Sequence, residues 1–76
     1  MIPEYVQVRI TRIDGDPAAR VISSSYKPSR VPEVGQVATL VDTQSQDPDL
    51  YIVELVEADG RAKWIAWFRE AELERV

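Results

Sequence analysis

Side chains able to do covalent or acid–base chemistry are few in this chain, and they do not converge. There is no histidine and no cysteine, so the commonest general base and the most nucleophilic side chain are both missing. Ser23, Ser24 and Ser25 form a run of hydroxyls without a visible activating partner. Glu54 or Asp42 could act as a lone carboxylate base, as could any surface acid. Asp42, Asp47 and Asp49 lie close together in sequence and offer the oxygen ligands that calcium prefers. Their spacing does not fit the usual calcium loop, and its glycine is missing. The residue types therefore point away from an enzyme. They imply no catalytic residue, no metal, no cofactor and no evident small-molecule substrate.

Two other groups of residues could recognise a partner. Arg20, Lys27 and Arg30 surround Tyr26, with no acid between Asp16 and Glu33. This basic loop, from Arg20 to Arg30, could contact an anion, a nucleic acid or an acidic partner, or could be a solvated surface loop. The second group is aromatic and β-branched, in the stretch Leu50–Phe68, LYIVELVEADGRAKWIAWF.

That stretch reads as one β-hairpin, because Asp59-Gly60 sits between two runs suited to a pleated surface. With a two-residue turn, Leu55 faces Trp64, Val53 faces Ala66 and Tyr51 faces Phe68. This face is wholly apolar and must be core. The other face pairs Ile52 with Trp67, Glu54 with Ile65 and Val56 with Lys63. It is only half polar, whereas a sheet covered on one side should alternate more cleanly. Either a second layer of the chain or another molecule covers it, and Ile52, Val56, Ile65 and Trp67 are the expected anchors of a protein interface. A longer turn with a bulge would shift the pairing. A rival pattern is present as well: Trp64, Trp67, Phe68 and Ala71 have helical spacing, followed by good helix formers. The hairpin turn favours strand through Phe68.

The flanking elements follow from local pattern. Tyr5 to Ile13 alternates, with Val6, Val8 and Ile10 on one face. Asp14-Gly15-Asp16-Pro17 has turn chemistry. Arg20 to Ser23 could form a short strand, and the segment to Pro32 is loop. Gln36 to Asp42 is a strand, and Thr43 to Asp49 a polar loop in which Pro48 cannot donate to a ladder. After the hairpin, Arg69 to Glu72 fits one helical or three-ten turn, and Leu73 to Val76 a short closing strand. The expected fold is a single all-β domain over residues 1–76, a small five-stranded barrel with one short helical or three-ten turn near the C-terminus.

The motif Val34-Gly35-Gln36-Val37-Ala38-Thr39-Leu40-Val41 resembles the G-x-V-G-T-V-V opening of a group of small, mostly uncharacterised bacterial SH3-like barrel proteins. The strand Tyr51-Ile52-Val53-Glu54-Leu55, the turn Glu57-Ala58-Asp59-Gly60-Arg61 and the tail Leu73-Glu74-Arg75-Val76 continue the likeness, which runs from Val34 to Val76. Ala38 replaces a glycine of that pattern, and the arm from Asp14 to Glu33 is longer than is usual there. The resemblance implies an SH3-like barrel and no particular activity. The aromatic-lined groove of peptide-binding SH3 domains does not map onto these positions.

Size and charge narrow the partners. A chain of 76 residues buries only about 60% of its unfolded surface, which makes homo-oligomerisation a natural source of further burial. The net charge is −4, and it is uneven: the segment up to Gln36 carries five basic and four acidic side chains, the remainder four basic and nine acidic. Generic nucleic-acid binding is disfavoured, since it draws on Lys and Arg. The early residues do not combine a basic start with an apolar run, so no signal peptide is expected, and no apolar run approaches membrane-spanning length. The expectation is a cytoplasmic, non-enzymatic interaction module that self-associates or binds a protein through the outer face of the 50–68 hairpin. Binding of a nucleic acid or acidic ligand through the 20–30 loop is the alternative.

Overall fold

In the computed structural model, which describes residues 2–44 and 47–76, the chain from Leu50 to Phe68 is a β-hairpin and not a helix. Its strands belong to a six-stranded antiparallel sheet. In chain order these are β1 (Gln7–Ile10), β2 (Val21–Ser23), β3 (Val37–Gln44), β4 (Asp47–Val56), β5 (Ala62–Arg69) and β6 (Leu73–Arg75). Three-ten turns occupy Pro17–Arg20 and Glu70–Glu72. The spatial order is β2-β5-β4-β3-β1-β6. The expected barrel is corrected to an open sheet, since the edge strands β2 and β6 do not pair with each other. Both are only three residues long, and short edges resist unwanted pairing. The count of five strands is corrected to six: β2, read from sequence as an optional short strand, pairs with β5 through Val21↔Ala66 and Ser23↔Ile65.

The hairpin register matches the expected pairs Tyr51↔Phe68, Ile52↔Trp67, Val53↔Ala66, Glu54↔Ile65 and Leu55↔Trp64. The turn itself differs. Gly60 N–H donates to Glu57 O at 2.9 Å and Glu57 N–H to Arg61 O at 2.8 Å. The loop is therefore Ala58-Asp59-Gly60, with Gly60 at φ 85, the positive value that a three-residue hairpin loop demands. Val56 consequently faces Ala62, not Lys63, and a bulge at Lys63 returns the register by Leu55↔Trp64. The two irregularities cancel, so the faces beyond them stay as the pleat dictates.

The inner face of this sheet is the core. Val8, Ile10, Leu40, Val53, Trp64, Ala66 and Phe68 have no exposed surface, and Tyr51 has almost none. The rings of Trp64 and Phe68 are tilted by 57° to each other, with centroids 6.1 Å apart. Val8 and Ile10 enter the core from β1, as the alternation requires. The strand begins at Gln7 and not Tyr5 because Tyr5 takes φ 63, which breaks extended geometry, and it ends at Ile10, short of the expected Ile13. Val6, Ile13, Val21 and Leu55 pack at the rim.

The expected polar loop of Thr43 to Asp49 is mostly strand. β3 runs through Gln44, β4 begins at Asp47, and Gln44↔Asp47 is a paired position. Cross-strand pairing outweighs the weak propensity of these polar residues. Ser45 and Gln46 lie outside the described residues. No helix among the described residues is long and apolar enough to cross a membrane.

Candidate functional site

The outer face of β4 and β5 carries Ile52, Glu54 and Val56 beside Ile65 and Trp67. Ile52, Ile65 and Trp67 are half-buried, while Val56 is 50% exposed. Strand β2 lies beside β5. Val21 turns to the core rim opposite Ala66, Ser23 pairs with Ile65, and a bulge leaves Ile22 unpaired between them. Ile22 is 58% exposed. Sequence reasoning placed it in an uncertain segment and missed it beside this hairpin. Only the pairing of β2 with β5 reveals it.

Trp67 is partly engaged by its own chain. The Arg20 guanidinium lies 4.2 Å from the Trp67 ring centroid and that of Arg69 lies 5.7 Å away. Arg20 Nη1 also approaches Trp67 O at 3.4 Å. Cation–π contacts of this kind hold a planar cation flat on the indole. The arm thus covers part of Trp67, while Val56, next to the hairpin turn, stays open to solvent.

Arg20 leaves the basic loop into which the sequence placed it. It is 5% exposed. Its Nη1 and Nη2 donate to Glu72 Oε1 and Oε2, each at 2.7 Å, and Nη2 also donates to Asp14 O at 2.6 Å. Asp16 starts the turn that aims it: its carboxylate accepts from Ala18 N–H at 3.0 Å, and Pro17 opens the three-ten turn ending at Arg20. Glu72, wholly buried, also accepts from the backbone N–H groups of Asp14 at 2.8 Å and Arg69 at 2.9 Å. Burial pushes the Glu72 carboxyl up, but the Arg20 and backbone hydrogen bonds outweigh it and hold the group at about 2. This is a structural knot in which both carboxylate oxygens accept from a guanidinium nitrogen and from a backbone N–H.

Of the remaining basic residues of the loop, Arg30 lies over Tyr26. The loop is anchored by Ser24, whose Oγ donates to Lys63 O at 2.8 Å and accepts from Tyr26 N–H at 3.1 Å and Arg30 N–H at 3.3 Å. Ser25 N–H donates to Ala62 O at 3.0 Å. Tyr26 is half-buried, and Lys27 and Arg30 are exposed. The Arg30 guanidinium stands 5.2 Å from the Tyr26 ring centroid, and a second guanidinium, that of Arg61, stands 4.3 Å from it. Arg61 comes from the hairpin turn and donates through Nη2 to Ser25 O at 3.0 Å. It too was missed from sequence, because nothing local says that the Asp-Gly-Arg turn lies beside the Tyr26 loop.

The serine run is thus consumed in part by loop anchoring through Ser24. Asp42 and Asp49 are exposed, and the Asp47 side chain lies outside the described residues. Among the described residues no three acidic side chains are placed to hold a metal ion. No protein-family model matches the chain, no curated protein matches it, and no solved structure matches it.

Proposed function

We propose that the chain is a cytoplasmic, non-enzymatic interaction module of SH3-like architecture. It self-associates or binds a protein partner through the outer hairpin face, with Ile52, Val56 and Ile65 as anchors and Trp67 at the margin. The observation that carries this reading is the outer face of β4 and β5, where Ile52, Ile65 and Trp67 are half-buried and Val56 is 50% exposed, with Ile22 of the neighbouring β2 58% exposed. Apolar side chains left partly open on the surface of a small domain are where association gains burial. The absence of histidine and cysteine supports the non-enzymatic part. The order of strands, with a long arm after the first and a three-ten turn before the last, supports the SH3-like part.

The test is molar mass by light scattering across a dilution series, for the parent and for Val56→Glu. This substitution places a charge at a half-exposed position where folding tolerates it. Self-association predicts a parent dimer or larger and a monomeric variant. A parent that is monomeric throughout removes self-association. The reading then stands only on a host protein captured by the parent and lost with Val56→Glu.

A further inference from the structure

We propose that Tyr26, Arg30 and Arg61 form a second binding site, specific for an acidic protein segment with closely spaced Asp or Glu side chains. The site goes beyond the outer-face reading and does not depend on it. Two guanidinium groups share one tyrosine ring, at 4.3 and 5.2 Å from its centroid. Stacking uses the flat face of a guanidinium and leaves its edge N–H donors directed outward, in the fork that matches a carboxylate. One donor of Arg61 is spent on Ser25 O. Among the described residues, neither Arg30 nor Arg61 has a carboxylate partner. The acids on the adjoining turn are occupied otherwise: Asp59 accepts from Arg61 backbone N–H at 2.9 Å, and Glu57 lies 3.8 Å from Lys63 Nζ.

Holding two cations at one ring without a counter-charge costs Coulomb energy in the free protein. An incoming pair of carboxylates removes that cost and gains charge-assisted hydrogen bonds. The scaffold is already in place: Ser24 Oγ and Ser25 N–H bond the loop to Lys63 O and Ala62 O of β5, and Ser24 Oγ also accepts from Tyr26 and Arg30 N–H within the loop. Little ordering is therefore left for binding to supply. A short acidic segment can meet this cluster alone. A nucleic-acid strand would extend over the rest of a chain whose net charge is −4, and would be repelled there.

The experiment is fluorescence anisotropy with a short labelled Glu-Gly repeat peptide, at low and at moderate salt. A Gln-Gly peptide and a labelled thymidine oligonucleotide of the same length serve as comparisons. Saturable binding of the Glu peptide is expected, weakened by salt. Arg30→Gln and Arg61→Gln should each weaken it by about tenfold. Tyr26→Ala should weaken it comparably and Tyr26→Phe restore it, because the ring acts by positioning the cations. Arg75→Gln, on β6, should change affinity by less than about twofold. Circular dichroism and thermal melts of each variant confirm that the fold is retained. The proposal is overturned by no binding of the Glu peptide at low salt, by equal binding of the Gln peptide, by tighter binding of the oligonucleotide, or by an equal loss with Arg75→Gln. A parent whose mass in solution falls with Arg61→Gln while the Glu peptide fails to bind assigns the cluster to contacts between copies and equally overturns it.

Discussion

Arg20 and Glu72 meet in a bidentate, buried ion pair with both contacts at 2.7 Å, and they bind the arm after β1 to the turn before β6 across 52 residues of sequence. A buried pair is not in itself a source of stability, because desolvation offsets its attraction. Its energetic meaning lies in what happens when one partner goes. Glu72→Gln would leave a buried guanidinium without its counter-charge, and Arg20→Met would leave a buried carboxylate. Each should destabilise by roughly 3–5 kcal/mol, whereas Arg20→Met combined with Glu72→Leu should cost clearly less than the two losses added. Urea unfolding followed by tryptophan fluorescence measures this. Additive losses would mean that the pair is not coupled as its geometry requires.

The same carboxylate sets an acid limit. Its folded value is about 2 against 4.5 for the free group. Protons therefore bind the unfolded chain more readily than the folded one. The stabilisation is fully present above about 4.5 and is lost as pH falls through that window towards 2. It amounts to roughly 3 kcal/mol for this group. Measured between pH 5 and pH 2, stability of the parent should fall steeply, and that of Glu72→Gln should fall less, from a lower starting point. Parallel curves for the two proteins would show that Glu72 is not the group responsible.

The two tryptophans separate core from surface. Trp64 has no exposed area and touches Phe68, so Trp64→Ala should cost about 3–5 kcal/mol as a core truncation. Trp67 lies on the opposite face under Arg20. Trp67→Ala should cost less, about 1–2 kcal/mol from the lost cation–π contact and the loosened arm. It should also shift the monomer–oligomer balance, which Trp64→Ala should alter only through unfolding. Equal stability losses with no change in association would remove Trp67 from the interface.

These contrasts show which parts of the molecule could be read from sequence. The pairs from Tyr51↔Phe68 to Leu55↔Trp64 were legible because a pleat of period two leaves one face wholly apolar. Ile52, Ile65 and Trp67 followed from the same count. Val56 was placed on the right face but opposite the wrong residue, because a Gly at the third loop position and a compensating bulge leave no local mark distinct from a two-residue turn. Arg20 was misplaced for a different reason. A base in a Pro- and Ser-rich arm ordinarily faces water, and only the fold of residues far along the chain brings Glu72 to it. Arg61 joined Tyr26 by the same long-range route. The strand reaching Gln44 and Asp47 was hidden by polar residues and by Pro48, since position in a sheet there overrides propensity.

The turn gives the most local of the predictions. Gly60 adopts φ 85, and a Cβ built there would meet nothing within 4 Å. Any penalty for a side chain is therefore backbone strain alone. Gly60→Ala should destabilise by about 1–2 kcal/mol, the cost of left-handed geometry for an L residue. Gly60→Asn should cost less, because asparagine tolerates that region. Both should retain the sheet in circular dichroism. The turn also carries Arg61 toward Tyr26, so strain that opens it should move the guanidinium off the ring before the core is affected. Native-state hydrogen exchange resolves this: faster exchange at Glu57 and Gly60, with Val53 and Ala66 unchanged, is the expected pattern. Uniform acceleration across β4 and β5 would instead mean that the turn and the core open as one unit.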